Sequence, residues 1–305
     1  MNAVISLQKI SKSFGRNRAL IDVSLDIPQG VVFALLGENG AGKTTLIRIL
    51  TGAVKPDVGM ATVLGLSCLN EGQKIRQQTG YVSDSPAMYE WMTADEIGWF
   101  TAAFYDDAFL GRYTETLMGF DVPPNVRLKN MSKGQRAKVA LALATAHDPE
   151  LLILDEPTSG LDPMVRRQFL ESMVDRASLG RTVLLSSHHI NEVERVADWV
   201  GIIHQGQLKL VQPLDVLRES TRVVTATLEH GDASAAMPRG EVLTEAKNGR
   251  QVRWVVRDLA EDWQSDFGTD SGVIKIDAEV PTLEEIFVAV CDTHAVRPSD
   301  QPLAV

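Results

Sequence analysis

The chain is short of the residues that build a covalent framework: its 305 residues include two cysteines, Cys68 and Cys291. That count excludes a disulfide-stapled scaffold and fits a reducing cytosol, so both thiols are expected to be inert, packed side chains. Long apolar runs are missing too. The longest, at residues 31–36 and 139–144, fall far short of the roughly 18 residues a membrane-spanning helix needs. Any membrane work would therefore need another polypeptide to cross the bilayer. The first ten residues, MNAVISLQKI, lack the charged start and apolar stretch of a signal peptide, so none is expected. There is no basic tract, no internal repeat and no long heptad insertion, and the net charge is −10. This balance argues against nucleic-acid binding led by phosphate contacts, and against adhesion to an anionic membrane by charge alone.

Against these absences stands a dense glycine pattern. Residues 37–44 read GENGAGKT, between the apolar run VVFALL and the helical pattern TTLIRIL. Strand, glycine-rich turn and helix is the context a GxxxxGK[ST] phosphate loop requires. Glycines let backbone N–H groups close around phosphates, and the helix start adds unsatisfied donors and its dipole. Gly37, Glu38, Asn39, Gly40, Ala41, Gly42, Lys43, Thr44 and Thr45 are the expected phosphate-binding set. Lys43 would reach the β- and γ-phosphates of a nucleotide, and the Thr44 hydroxyl would ligate Mg²⁺.

Short β patterns over residues 4–10 and 20–27 with turns at Phe14-Gly15 and Pro28-Gln29-Gly30 predict an antiparallel layer ahead of this loop. Leu46, Ile49 and Leu50 fall at helical spacing, with Gly52 placed to end the helix. From about residue 85 to 147 the pattern turns helical, with a capping-box sequence at Thr93-Ala94-Asp95-Glu96 and a break at Pro123-Pro124. This predicts an inserted helical subdomain. Strand and helix then alternate: LLIL at 151–154, a helix from Asp162-Pro163 to near Gly180, TVLLS at 182–186 and a helix over 191–197. Such alternation implies crossovers and a largely parallel, buried sheet. Beyond about 220, the segments VVTATL, QVRWVV and GVIKI and a helix opened by Thr282-Leu283-Glu284-Glu285 predict a separate α+β unit over 221–291. Leu283, Ile286 and Phe287 form its buried helical face. Residues 292–305 are expected to be disordered.

LLILDE at 151–156 is an apolar strand with two carboxylates at its C-terminal end, where ligands sit in open α/β sheets. Asp155 is expected to hold Mg²⁺ through water, and Glu156 to polarise an attacking water as general base. MSKGQ at 131–135 opens a helical run. Ser132 is a natural N-cap, and Gly134 permits close backbone approach to an anion.

Taken with Ser159-Gly160-Leu161-Asp162 and Ser186-Ser187-His188, these motifs make residues 4–212 resemble the ATP-binding subunits of ABC transporters. The resemblance implies a P-loop NTPase of α/β class over 1–220, with a mixed sheet core, an antiparallel β layer and the helical subdomain, followed by the small C-terminal α+β domain. It implies an ATPase that closes head to tail with a second copy or a paralogue around two ATPs. Ser132, Lys133, Gly134 and Gln135 would then face the ATP of the opposite protomer. His188 would orient the attacking water, with His189 as fallback, Asp162 would join the loop linking the two sites, and Phe14 would stack on adenine. Two departures stand out. Asp84 replaces the glutamine usual after the third strand; it can accept from a Mg²⁺-bound water but not donate, and it adds charge near a polyphosphate. It either takes that glutamine's role with altered coupling or caps a turn. Lys133 replaces the first glycine of the usual signature loop and would offset the extra charge of Asp84 across the dimer. The final block resembles the extension on ABC-2-type exporter ATPases. The implied partner is a separate transmembrane permease, with the chain on the cytoplasmic face of the membrane, touching it only through that permease and binding no nucleic acid. A soluble non-transport ABC ATPase and a nucleotide-dependent regulator that hardly hydrolyses remain as alternatives.

Overall fold

Alternating burial organises the first two strands. In the computed structural model, which describes residues 3–230, 235–267 and 272–292, β1 (Ala3–Phe14) and β2 (Asn17–Pro28) pair antiparallel. Ile5 and Leu7 on β1 and Val23, Leu25 and Ile27 on β2 are buried in the two-residue period of a one-sided sheet. β3 (Val32–Leu36), buried along its whole length, leads into α1 (Lys43–Leu50). β4 (Val58–Val63) and the short β5 (Leu66–Ser67) complete an antiparallel sheet of order β2-β1-β4-β5.

After α2 (Gly72–Gln78) and β6 (Thr79–Val82) the chain enters three helices, α3 (Ala94–Ala102), α4 (Phe109–Gly119) and α5 (Lys133–Thr145). The capping box expected at α3 is present: Thr93 Oγ1 accepts from the Glu96 N–H at 3.1 Å and Glu96 Oε2 accepts from the Thr93 N–H at 2.8 Å. These helices share a core of their own, with Ile97, Phe109, Tyr113, Leu117 and Val139 buried together. A Cβ at Gly98 would sit 2.0 Å from the Tyr113 ring, so α3 and α4 need glycine where they cross.

The chain then returns through β7 (Leu151–Asp155), α6 (Pro163–Ser178), β8 (Thr182–Ser187), α7 (Ile190–Val193), β9 (Trp199–His204) and β10 (Gln207–Pro213). The second sheet has order β10-β9-β3-β8-β7-β6, and the pairs from β9 to β6 are parallel. Its central strands are apolar without alternation because both faces are covered. Leu46 and Ile49 of α1 lie in one core with Ile5, Leu20, Phe33, Ile153 and Leu184, which joins the two sheets. Each such fully buried aliphatic side chain contributes about 1.5–3 kcal/mol. The helix expected over 191–197 is one turn long. Its continuation is stopped by Asp198, whose N–H donates to Val32 O at 2.9 Å and whose Oδ2 accepts from Val32 N at 2.8 Å, pulling the chain into β9.

The chain divides into two compact units between Val211 and Gln212, earlier than the expected boundary after 220. The reason is α8 (Leu214–Ser220), which is tied to the next strand: Thr221 Oγ1 donates to Leu217 O at 2.7 Å. The second unit is an antiparallel sheet of order β12-β13-β11-β14, from β11 (Thr221–Leu228), β12 (Glu241–Asn248), β13 (Gln251–Arg257) and β14 (Val273–Glu279). Trp254 anchors one face, and α9 (Leu283–Cys291) covers the other, burying Leu283, Ile286 and Phe287. Of the expected tail, residues 293–305 lie outside the described residues.

Candidate functional site

The phosphate-loop sequence forms a tight turn between β3 and α1, and its glycines have distinct reasons to be there. A Cβ at Gly37 would lie 2.5 Å from Ile203 O on β9, and one at Gly42, where φ is +114°, would lie 2.6 Å from Ala19 O on β2. Gly40 has φ +84° with no atom near its missing Cβ, leaving room for a ligand to approach the backbone. No side chain caps α1 at Gly42, so the N–H groups of its first turn have no partner within the helix. Glu38 and Asn39 are exposed, Ala41 is buried, Thr44 is exposed and Thr45 half-buried.

Lys43 is 5% exposed, and a charge so enclosed must be compensated. Its Nζ donates to Gly37 O at 2.6 Å and Glu38 O at 3.2 Å, and lies 3.0 Å from Glu156 Oε1. The last contact is an ion pair without hydrogen-bond alignment, since Glu156 Oε1 has no hydrogen bond of its own. Glu156 Oε2 lies 2.7 Å from His188 Nδ1. One carboxylate thus bridges the phosphate-loop lysine and the histidine. The Glu156 backbone has φ +50°, held by its N–H on Ser186 Oγ at 3.1 Å and Ser186 O at 3.2 Å. Ser186 Oγ in turn donates to the buried Asp155 Oδ1 at 2.7 Å. Asp155 also acts on Tyr81 of β6, whose hydroxyl pKa is raised first by burial and further by this carboxylate, with Arg48 opposing. Among the described residues His189 makes no hydrogen bond or ion pair to Glu156: its ring lies against His188, centroids 4.0 Å apart, and its N–H donates to Ser187 Oγ.

The 131–135 turn is a complete capping box: Ser132 Oγ accepts from the Gln135 N–H at 3.2 Å, and Gln135 Oε1 accepts from the Ser132 N–H at 2.9 Å. The Ser132 hydroxyl hydrogen is left to donate elsewhere. Among the described residues no hydrogen bond or ion pair joins this turn to Lys43, Glu156 or His188 of the same chain. It is packed instead on the 157–165 segment. A Cβ at Gly134 would meet Val165 at 3.4 Å, and Lys133 Nζ lies 2.7 Å from where a Cβ of Gly160 would be. Lys133 and Asp84 line one cavity of about 400 Å³ with Arg136 and Ser159. Asp84 is exposed and makes no hydrogen bond among the described residues, so it caps no turn. Phe14 is 50% exposed at the end of β1, which removes it from the core, and Lys12 Nζ stands 5.4 Å from its ring centre. Asp162 caps α6, its Oδ1 accepting from the N–H groups of Met164 and Val165.

Sequence reasoning named Ser186 only within the Ser186-Ser187-His188 motif and gave it no role of its own, and it missed Thr158, Arg166 and Glu192. Ser186 had a signal, a polar pair ending an otherwise apolar strand. The others had none, because Thr158 Oγ1 meets Glu192 Oε2 across 34 residues.

A glycine loop at a bare helix start, a buried lysine and a strand-end carboxylate pair define a P-loop nucleoside triphosphatase. The ABC transporter family profile matches residues 20–159. The bacitracin transport ATP-binding protein BcrA of Bacillus licheniformis is 32% identical, covering 73% of this chain and 74% of that protein. The ABC transporter ATP-binding protein NatA of Bacillus subtilis is 34% identical over 72% of this chain and 93% of its own length. The uncharacterized ABC transporter ATP-binding protein YdbJ of Bacillus subtilis is 29% identical over 95% of this chain and 96% of its own length, so the likeness extends through the second unit. A solved ATP-binding subunit of an ABC transporter superposes with a TM-score of 0.66 at 29% identity, covering 71% of this chain and 92% of that one. This chain belongs to the ATP-binding proteins of ABC transporters. It is an ATPase that binds ATP and hydrolyses it to ADP and phosphate as a transporter subunit. The alternatives of a soluble non-transport ATPase and of a non-hydrolysing regulator are set aside by the same relatives.

Proposed function

We propose that Glu156 is the general base of this ATPase and His188 the residue that orients the attacking water, in a subunit that drives an ABC-2-type exporter. The observation that carries the reading is the bridge of Glu156 between Lys43 Nζ at 3.0 Å and His188 Nδ1 at 2.7 Å. Lys43 and the 37–45 backbone bind the phosphates, with Lys43 exchanging its carbonyl contacts for phosphate oxygens. Glu156 accepts the proton of the attacking water, and His188 holds the other side of that water and the γ-phosphate. The exposed ring of Phe14 offers adenine a stacking face.

Thr44, Asp155 and Asp84 suit Mg²⁺. Asp155 keeps one oxygen unengaged by Ser186, and among the described residues no three His, Cys, Asp or Glu side chains form a site that would hold a metal alone. That is the donor set of an ion which shares its ligands with substrate phosphates and water. When bound, Mg²⁺ neutralises charge on the phosphates. Ser132, Lys133, Gly134 and Gln135 serve the ATP of a second copy or a paralogue, which the spare Ser132 donor supports.

No helix among the described residues is long and apolar enough to cross a membrane; the likeness to transport ATP-binding proteins supports a separate transmembrane permease with this subunit on its cytoplasmic side. Tyr89, Trp91, Trp99, Phe100 and Phe104 are exposed near one another on the helical subdomain, with Tyr89 and Phe100 centroids 5.6 Å apart, and supply an apolar docking face for it. Export is supported by the bacitracin transport relative and by the linearmycin resistance ATP-binding protein LnrL of Bacillus subtilis, 34% identical over 67% of this chain and 68% of that protein. The test is Glu156→Gln: turnover should fall about 10²- to 10⁴-fold while ATP affinity, read by equilibrium binding, stays within a few-fold. Wild-type turnover would remove Glu156 from this role.

A further inference from the structure

Two residues beyond Glu156 and four beyond His188, a second set of contacts ties the same two segments together. Thr158, buried in the loop after β7, donates through Oγ1 to Glu192 Oε2 at 3.3 Å. Glu192 Oε1 is ion-paired with Arg166 Nη1, and Arg166 Nη2 donates to Leu161 O at 3.0 Å. Arg166 stands in the first turn of α6, whose start is fixed by the Asp162 cap. The loop after Glu156, the first turn of α6 and the helix after His188 are thus joined by one carboxylate and one guanidinium. The pair is half-buried, with side chains 25% and 18% exposed, and Arg166 Nε is shielded from solvent with no hydrogen-bond partner among the described residues.

Such a pair is weak evidence for stability, since desolvation offsets much of the attraction. Its value is geometric. Helix α7 is a single turn, which gains little from its own backbone bonds, so its orientation depends on side-chain ties. We propose that Arg166 and Glu192 are positioning residues that clamp the His188 segment to the loop following Glu156, holding His188 Nδ1 on the Glu156 carboxylate. Among the described residues neither makes a hydrogen bond or ion pair with the phosphate loop, and ATP binding does not need them. The proposal rests on the reading of Glu156 and His188 given above.

The experiment measures steady-state ATPase and equilibrium ATP binding of the full-length protein with Mg·ATP. Glu192→Ala should lower kcat about 10- to 100-fold, as expected for a slightly misplaced reacting group, with KM and ATP affinity within twofold. Glu192→Gln, whose Oε1 can accept from Arg166 while its amide N–H donates to Thr158 Oγ1, should recover most of the rate. In a His188→Ala background, Glu192→Ala should cause no further loss. Unchanged kcat in Glu192→Ala, an additive loss in the double variant, or parallel loss of kcat and ATP affinity overturns the clamp. Should Glu192→Ala fail to fold, Thr158→Val carries the same test, with a smaller kcat loss at constant KM expected and no loss overturning the proposal. His188→Ala at wild-type speed would instead overturn the role of His188, whereas a slow His188→Ala with additive Glu192→Ala overturns only the clamp.

Discussion

A single methyl group tests the phosphate loop at residue scale. In Gly42→Ala the new Cβ would sit 2.6 Å from Ala19 O on a backbone with φ +114°, so both the conformation and a rigid neighbour oppose it. The expected loss of stability is roughly 1–3 kcal/mol from the backbone alone, and chemical denaturation should show a lower midpoint with the ATP affinity reduced. An unchanged midpoint would mean that the loop is not held as described. The residue types at 37–44 were legible because phosphate chemistry demands them in a fixed order. The side-chain bridge from Lys43 through Glu156 to His188 was not, since its members lie 113 and 32 positions apart and only the parallel sheet order brings β3, β7 and β8 side by side. The exposure of Phe14 and the unpartnered carboxylate of Asp84 were likewise open questions, because a sequence gives residue type but not surroundings.

At the scale of elements, α5 ends against a half-buried histidine. His147 stacks on Tyr105 with centroids 4.6 Å apart, and both its ring nitrogens are shielded from solvent. Burial foremost lowers its pKa from 6.5, helped by Arg176 and Arg112 and opposed by the Thr79 backbone and Asp106. The folded state therefore resists a proton that the unfolded chain accepts, so stability is lost as pH falls below about 6.5 and regained as it rises. In His147→Phe, which keeps the stack, the difference in Tm between pH 7.5 and pH 5.5 should shrink relative to wild type; an equal difference would exclude His147 as a source of acid sensitivity. Elements with strong periodicity or caps, such as β1, α3, α6 and α9, match the sequence reading closely. β12 escaped it because its residues are mostly exposed on a sheet edge, with no apolar alternation to read. The reach of α7 was overestimated because the bond from Asp198 to β3 is a tertiary contact that overrides local helix preference.

For the whole molecule, the reading requires a second chain at each nucleotide. Ser132→Arg, which puts a bulky cation at the mouth of α5, should leave ATP binding by the monomer intact and abolish ATP-dependent dimers in a Glu156→Gln background, as measured by light scattering. Normal dimers would refute the contact across protomers. The fold also holds Glu156 in a left-handed conformation that a non-glycine residue adopts at a cost of about 1–2 kcal/mol. If Glu156 is the general base proposed above, thermal endurance and catalytic speed compete for this one position. Under that role a glycine there would relax the chain and idle the motor.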